Sequence, residues 1–275
     1  MTLTDREGII IKNIGGIVMR YGMCMGIEAL ENIKIAKAAG YDYVECNFGQ
    51  LSRREDEVFE TFKATLQEND IKCEAANCFI PGDLAIIGND YHSERFSSYI
   101  ENGMRRGSEV GLKTVVFGSG GARKVPEGFS FAEAFRQLGD FLNSVVSPIA
   151  EKYGITVVIE PLRKKETNII HTVKEGVMLA ALSGKDNIAG LADLYHVDGA
   201  GDTNDDIRVL KGYIKHAHLA NPTGRRFPKS LDEYDYQGFI DALSFAGCER
   251  CSVEASCDDY ATEAFETASL LKQLK

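Results

Sequence analysis

The sequence lacks any long apolar run and any recognisable leader segment. Although 44% of its 275 residues are hydrophobic, no stretch approaches the roughly 18 consecutive apolar residues that a membrane-spanning helix needs. A basic and apolar N-terminal segment of the secretory type is also missing. These absences predict a soluble, cytoplasmic globular protein with no membrane partner.

The sequence also lacks an excess of positive charge. Its 31 Lys and Arg residues are outnumbered by 41 Asp and Glu residues, which gives a formal net charge of -10. An acidic surface repels the phosphate backbone that dominates the affinity of proteins for nucleic acids. The composition therefore argues against a DNA or RNA partner.

The cysteines do not form a disulfide framework, since seven is an odd number in a chain of this size. Several lie in apolar strand-like runs, where a thiol behaves as a small hydrophobe, and reduced thiols are usual in the cytosol. Cys248 and Cys251 have a zinc-like spacing, but no second pair lies nearby, and residues three apart on a strand face opposite sides. We therefore assign this pair no metal. The seven are Cys24, Cys46, Cys73, Cys78, Cys248, Cys251 and Cys257.

Glycine-rich nucleotide motifs are missing as well, because no G-x-G-x-x-G or Walker sequence follows any strand-like run. The chain has instead a repeated unit, in which a helical pattern ends on a Gly that leads into an apolar, strand-like run. Gly adopts the left-handed conformation that ends a helix, so each unit is the αβ half of a βα repeat. These glycines are Gly40, Gly111, Gly154, Gly184, Gly212 and Gly247. Asn69, which tolerates the same conformation, supplies a seventh unit.

An opening strand near Val18 to Met25 brings the number of predicted strands to eight. The others begin near Tyr43, Ile71, Lys113, Ile155, Asn187, Tyr213 and Arg250. Eight alternating units predict an α/β fold of the closed (β/α)8 TIM barrel type rather than an open sheet. Because no linker interrupts the chain, we expect a single domain over residues 1–275. The first ~15 residues, with the run IIIKN, fit no unit.

Four strand-like runs in the second half of the chain end on residues of metal-binding type. The runs VVIE, GLAD, KHAH and CSVE place Glu160, Asp193, His218 and Glu254 at the ends of predicted strands five to eight. In a (β/α)8 barrel these ends form the mouth, where the chemistry of characterised enzymes takes place. A lone acidic residue at a strand exit is commonly an ordinary polar residue, but four in succession favour one site. We predict one divalent metal ion bound by all four side chains.

Three carboxylates and one imidazole form an oxygen-rich ligand set, which favours Mn²⁺ or Mg²⁺, with Co²⁺ and Zn²⁺ as alternatives. Glu160 and Glu254 come from well-separated strands, so one could remove a proton from a substrate carbon and the other return it. A cation chelated by a carbonyl oxygen and the neighbouring hydroxyl would stabilise the resulting enediolate.

Other polar residues near the predicted mouth have alternative interpretations. His216 lies on the same face of its strand as the metal histidine, and we interpret it as a buried, hydrogen-bonded residue one layer deeper. His196, in the loop after strand six, either holds a substrate oxygen or has no role. Glu166 either contacts the substrate or pairs with its basic neighbours. Arg225 and Arg226 share a mouth loop, and at least one of them could be a surface charge.

At these residues the chain resembles the xylose isomerase-like TIM-barrel superfamily, and within it the D-tagatose and D-psicose 3-epimerases. The matching stretches are VVIEPLRKKETN, LADLYH, KHAHLANPTGRRFP, CSVEAS, GYDYVE and VVFGSGG. The resemblance implies a metal-dependent epimerase or isomerase of a small-molecule sugar, assembled as a homo-oligomer (dimer or tetramer). It implies that the four strand-end residues bind the metal and that Glu160 and Glu254 form the acid/base pair. It also implies that Glu166, His196 and an arginine of the loop after strand seven bind the substrate. For this arginine we favour Arg225 over Arg226.

Two departures from the epimerase pattern fall around the expected sugar pocket. Arg163-Lys164-Lys165 stands where the family usually has Asn-Arg and an aromatic residue. Family members have an aromatic residue soon after the last metal glutamate, whereas this chain has Ala255-Ser256 there. The chain also has no Trp at all. The substrate is therefore expected to be modified, shorter or charged.

Alternative functions on the same barrel follow from the same residues. The enediolate could expel a β-hydroxyl, which would make the protein a dehydratase (lyase) of an inosose or cyclic hydroxy acid. An apurinic-site endonuclease would need a three-zinc site and more histidines than the five present. A non-catalytic sugar-binding protein is disfavoured by the intact carboxylate pair.

Overall fold

The computed structural model describes residues 18–89 and 91–274. Within these ranges eight parallel strands close into a barrel in sequence order, with the first strand hydrogen-bonded to the second and to the last. The strands are β1 Arg20–Met25, β2 Tyr43–Asn47, β3 Cys73–Asn77, β4 Thr114–Phe117, β5 Thr156–Ile159, β6 Ile188–Asp193, β7 Ile214–Leu219 and β8 Arg250–Val253. The predicted (β/α)8 TIM barrel is confirmed. The run IIIKN, and with it the start of the predicted 1–275 domain, lies outside the described residues.

Helices between the strands cover the outside of the barrel. They are α1 Leu30–Ala39, α2 Phe48–Arg53, α3 Asp56–Glu68, α4 Glu94–Val110, α5 Phe131–Phe141, α6 Ser147–Lys152, α7 Val173–Ser183, α8 Leu194–Ala200, α9 Asn204–Arg208, α10 Tyr236–Ala246 and α11 Tyr260–Leu271. A π-helical turn, Leu142–Val146, joins α5 to α6. Across the described ranges, none of the helices combines the length and the apolarity that crossing a bilayer requires.

The glycine caps have the backbone conformation that the sequence predicts, with one exception at the end of α3. All six predicted glycines have φ between +64° and +97°. The seventh prediction is wrong by one residue, since Asn69 has φ −97° and Asp70 has φ +46°. Asn69 stays close to helical geometry because its side-chain amide donates to the Thr65 carbonyl at 2.8 Å. The chain therefore turns one residue later.

The inside of the barrel is filled in layers. Near the N-terminal ends of the strands, Glu74 accepts hydrogen bonds from Arg20 at 2.6 and 2.7 Å and from Arg250 at 3.0 Å. The middle is filled by an apolar cluster, separate from the main core, of Val116, Val158, Ala189 and Leu191. The main apolar core lies between the strands and the helices. Side chains alternate in and out along each strand, so the polar residues above this cluster face the mouth.

Tyr43 occupies the interior space that a side chain at Gly22 would need. A Cβ at Gly22 would lie 2.2 Å from the Tyr43 ring, whose hydroxyl hydrogen-bonds Ser252 across the barrel at 3.0 Å. We expect Gly22→Ala to lower the free energy of unfolding by about 1–3 kcal/mol, because overpacking displaces the ring.

The matched control for this prediction is Gly82→Ala, in an exposed loop where an added Cβ meets no atom within 4 Å. Urea unfolding of both variants measures the difference. Equal stability of the two variants would contradict the packing interpretation.

Candidate metal centre and active site

The structure brings the four predicted metal ligands together at the barrel mouth. Glu160 and Glu254 directly follow β5 and β8, Asp193 ends β6, and His218 lies near the end of β7. One ligand atom from each lies within 4.8 Å of the others. Nδ1 of His218 is 3.1 Å from Glu160 Oε1, 3.0 Å from Glu254 Oε2 and 3.8 Å from Asp193 Oδ2.

The donor atoms of this cluster are oriented as a cation site requires. His218 Nε2 lies 2.9 Å from Glu45 Oε1, and a proton held on Nε2 by this contact leaves Nδ1 as the nitrogen that would bind a cation after losing its own proton. Asp193 Oδ1 accepts the backbone N–H of Tyr195 at 2.7 Å and of His196 at 3.3 Å, as the N-cap of α8. Asp193 Oδ2 accepts no backbone hydrogen bond and faces the other ligand atoms and Arg225. The cluster is thus a buried acidic and histidine group that could hold a divalent metal ion.

Like charges crowded in a buried site shift the ionisation of its members. Burial raises the pKa of Glu160, a hydrogen bond to His218 opposes this, and the Glu254 charge adds to the rise. Burial alone would lower the pKa of His218, but the Glu254 and Glu45 charges hold that pKa well above its ordinary value. The pKa of Glu254 lies below its usual range, because His218 outweighs the effect of burial. A proton on His218 therefore balances part of the negative charge, as a bound dication would.

Of the two arginines in the loop after β7, Arg225 faces the site. Its Nη2 donates to Asp193 Oδ2 at 3.1 Å and also to Glu254 Oε2. Arg226 instead pairs with Glu233 outside the site, at 2.8 Å. The backbone of Arg225 is left-handed, with φ +51°. In this conformation the side chains of Arg225 and Arg226 point in different directions.

Glu166 and His196 lie together at the edge of the site. The His196 ring is buried, with Nδ1 3.4 Å from Glu166 Oε2 and Nε2 3.8 Å from Asp193 Oδ2. His196 lies in the first turn of α8, so its expected place in a loop is wrong. Its Nε2 is buried without a hydrogen-bond partner in the described structure. A substrate oxygen beside Asp193 could satisfy this atom.

Glu45, in the middle of β2, is a central residue of the site that was not predicted from the sequence. It is fully buried and bridges two imidazoles, with Oε1 2.9 Å from His218 Nε2 and Oε2 2.8 Å from His216 Nε2. Burial would raise the pKa of Glu45, but the two histidines hold it well below its usual range. His216 is the buried, hydrogen-bonded residue that was predicted. The signal for Glu45 was available, since YVE ends on a glutamate as VVIE does.

A buried arginine and a glycine shape the position of Glu160. Arg123 is fully buried and donates to the carbonyl of Glu160 at 2.8 Å and to that of Phe117 at 3.1 Å, which joins the ends of β5 and β4. A Cβ at Gly118 would lie 2.2 Å from Glu160 Oε2. The absence of a side chain at Gly118 therefore leaves room for the Glu160 carboxylate.

Two thiols also reach the site. Cys24, on β1, places its Sγ within 4.8 Å of ligand atoms of His218 and Glu254. Burial raises the pKa of this thiol well above its ordinary value, and the Glu45 and Glu254 charges add to the rise. Burial likewise raises the pKa of Cys78, which follows β3, to about 12. Both thiols are therefore protonated in the metal-free site at neutral pH.

The residues that depart from the epimerase pattern have structural contacts. The Arg163 guanidinium stacks on the Tyr195 ring at 3.7 Å and donates to the Tyr195 carbonyl at 3.2 Å. Ser256 donates its backbone N–H to the Arg225 carbonyl at 2.8 Å. These contacts fix the loops on which the site residues lie.

Solved structures with a similar fold include sugar epimerases. The structure of D-psicose 3-epimerase in the presence of D-fructose has a TM-score of 0.79 and 16% sequence identity, covering 93% of this chain and 99% of that chain. The structure of 3-keto-D-glucoside 4-epimerase from E. coli has a TM-score of 0.77 and 20% identity, covering 93% and 99%. At these identities the likeness shows the fold.

Similarity at the level of sequence agrees with the fold. D-psicose 3-epimerase of Agrobacterium fabrum (strain C58 / ATCC 33970) is 23% identical over 203 residues, which cover 71% of this chain and 68% of that protein. Residues 33–274 match the family described as "Xylose isomerase-like TIM barrel". Since this match extends from α1 through α11 and includes every residue of the proposed metal centre, the chain belongs to the xylose isomerase-like TIM barrel family.

Proposed function

We propose that the protein is a divalent-metal-dependent sugar epimerase or isomerase that acts by proton transfer through an enediolate. The observation that carries this proposal is the pair of carboxylates, Glu160 and Glu254, brought to the same imidazole nitrogen of His218 from β5 and β8. The names of similar proteins, D-psicose 3-epimerase and 3-keto-D-glucoside 4-epimerase, support an epimerisation of a sugar beside its carbonyl carbon.

The two glutamates divide the proton transfer between opposite sides of the substrate. One carboxylate removes the proton from the carbon beside the carbonyl, and the other delivers a proton to the opposite face. Their roles exchange when the reaction runs backwards. Asn77 donates to Glu254 Oε1 at 2.8 Å, and Arg123 holds the backbone of Glu160, so both carboxylates are positioned before the substrate arrives.

A bound divalent ion would be held by Glu160, Asp193, His218 and Glu254 and would supply positive charge that stabilises the enediolate oxygens. From these oxygen-rich ligands we predict Mn²⁺. Homo-oligomeric assembly and a cytoplasmic location stay predictions from the sequence.

Substrate hydroxyls are proposed to contact Glu166, His196 and Arg225. The unpartnered Nε2 of His196 and the guanidinium of Arg225 both lie beside Asp193, and the Glu166 carboxylate lies against His196. A neutral polyol needs such a mixture of donors and acceptors. The Arg163 side chain is engaged with Tyr195, so we propose an uncharged sugar rather than a phosphate.

The first prediction from this proposal concerns the two glutamates. The protein loaded with Mn²⁺ is incubated with a panel of ketoses, keto-sugars and inososes in deuterated water, and products are followed by NMR and mass. We expect deuterium at the carbon beside the carbonyl without loss of water. Glu160→Gln and Glu254→Gln should each lower the exchange rate by about 10²–10⁴-fold, because each removes a proton-transfer group.

Glu74→Gln is the matched control for these variants, because Glu74 is a largely buried glutamate paired with arginines at the other end of the barrel. Metal content is measured for every variant, which separates loss of the ion from loss of the proton transfer. Retention of exchange in both glutamine variants would contradict the proposal, and loss of water from an inosose would identify a dehydratase.

The second prediction concerns the proton that the metal displaces. In the metal-free protein the pKa of His218 is raised, so its Nδ1 is protonated at neutral pH and competes with the ion. Affinity for the metal should therefore fall as pH falls, and binding near pH 7 should release at least one proton, the one held by His218. Calorimetric titrations in two buffers of different ionisation enthalpy measure the release, and a heat of binding independent of the buffer would contradict it.

The third prediction concerns Glu45. Glu45→Gln removes the charge that orients His218, so we expect metal affinity to fall about 10–100-fold, as for other outer carboxylates of metal sites. Glu74→Gln is again the control, because it removes a buried glutamate charge far from the site. Equal metal affinity in the Glu45→Gln variant and the native protein would exclude this role.

A further inference from the structure

The barrel mouth contains a sulfur atom beside the proposed metal ligands. Cys24 lies on β1, whose neighbours in the closed barrel are β2 and β8. The register pairs Cys24 with Glu45 on one side, and pairs Met23 with Val253, the residue before Glu254, on the other. Cys24 therefore stands at the level of the site, between the strands that carry Glu45 and Glu254.

The side chain of Cys24 points into the site. Its Sγ, one ring nitrogen of His218 and one carboxylate oxygen of Glu254 all lie within 4.8 Å of one another. Two of these three residues also belong to the group formed by Glu160, Asp193, His218 and Glu254. A cation held by that group would thus have a free thiol in its immediate surroundings.

The other cysteines of the described residues lack this placement. Cys78, after β3, and Cys257, after β8, are both exposed, and neither places its Sγ within 4.8 Å of two potential metal ligands. Cys46, Cys73, Cys248 and Cys251 are buried in the apolar core between the strands and the helices. Cys24 is therefore the thiol through which the site could acquire a sulfur ligand.

We propose that Cys24 is a further ligand of the metal centre and shifts its preference from Mn²⁺ and Mg²⁺ toward thiophilic divalent ions such as Co²⁺, Zn²⁺ and Cd²⁺. The inference rests on the proposed metal-dependent function. Coordination breaks the S–H bond, forms one metal–sulfur bond and releases the thiol proton to solvent. Thiolate ligands favour softer ions than carboxylates do, so one sulfur changes the ion that the four predicted ligands alone would select.

The position of Cys24 on a strand makes such a bond geometrically well defined. β1 is hydrogen-bonded on both sides, and Met23, the residue before Cys24, is fully buried. A ligand carried by a packed strand is held more precisely than one carried by a loop. The Cys24 backbone is therefore held in place beside the proposed ligands.

The test is the absorption spectrum of the Co²⁺-loaded protein. Co²⁺ is added to the metal-free chain, and bound cobalt is measured by elemental analysis. We expect a near-ultraviolet sulfur-to-cobalt charge-transfer band in the native protein, its loss in Cys24→Ser, and its retention in the matched control Cys78→Ser. Cys24→Ala, compared by circular dichroism and bound cobalt, shows whether any loss arises from misfolding. When Cd²⁺ and Mn²⁺ compete for the site, Mn²⁺ should occupy a larger fraction of it in both Cys24 variants than in the native protein.

The outcomes separate this proposal from the proposed function. Stoichiometric cobalt without the band in the native protein, or a band that persists in folded Cys24→Ser, would overturn the sulfur ligand and leave the epimerase proposal standing. Loss of the band in Cys78→Ser but not in Cys24→Ser would also overturn it. The band without deuterium exchange on any sugar would support Cys24 as a ligand and count against the epimerase. Absence of cobalt binding in the native protein would overturn both.

Discussion

The mutual repulsion of three carboxylates around one imidazole is the constraint on which the rest of the site depends. Glu160, Asp193 and Glu254 surround Nδ1 of His218, and all of these residues except the partly exposed Glu254 are buried. Burial strengthens each charge interaction, so the cluster needs a compensating positive charge. A proton on His218 and the Arg225 guanidinium provide it in the described structure. A bound dication would compensate the charge more fully and leave the carboxylates ionised.

Neighbouring residues keep this charged cluster in place. Glu45 fixes the orientation of His218 from below, and the amide groups at the start of α8 fix Asp193. Arg123 ties the backbone of Glu160 to the end of β4, while Gly118 leaves room for its carboxylate. These contacts come from different strands and loops, and together they hold the acidic groups closer than they would lie in solution.

The division between strands and loops separates the proposed metal ligands from the residues proposed to bind the substrate. The proposed ligands lie on or directly after rigid strands, whereas Glu166 and Arg225 lie on connecting segments. Arg163 and Arg225 both contact the Tyr195 ring, at 3.7 and 5.0 Å, and so connect the segments after β5, β6 and β7. These segments can therefore vary while the strands keep the four proposed ligands in place.

The sequence alone determined the repeat, the barrel and the four residues at the ends of strands five to eight. It could do so because glycine caps, apolar runs and strand ends are local patterns of the chain. It did not determine the roles of Glu45 and Arg123, because their partners are distant in sequence and become neighbours only when the barrel closes. The choice between Arg225 and Arg226 also required the tertiary structure. Consecutive residues on a loop point in directions that depend on backbone angles, and the positive φ of Arg225 turns that side chain toward Asp193.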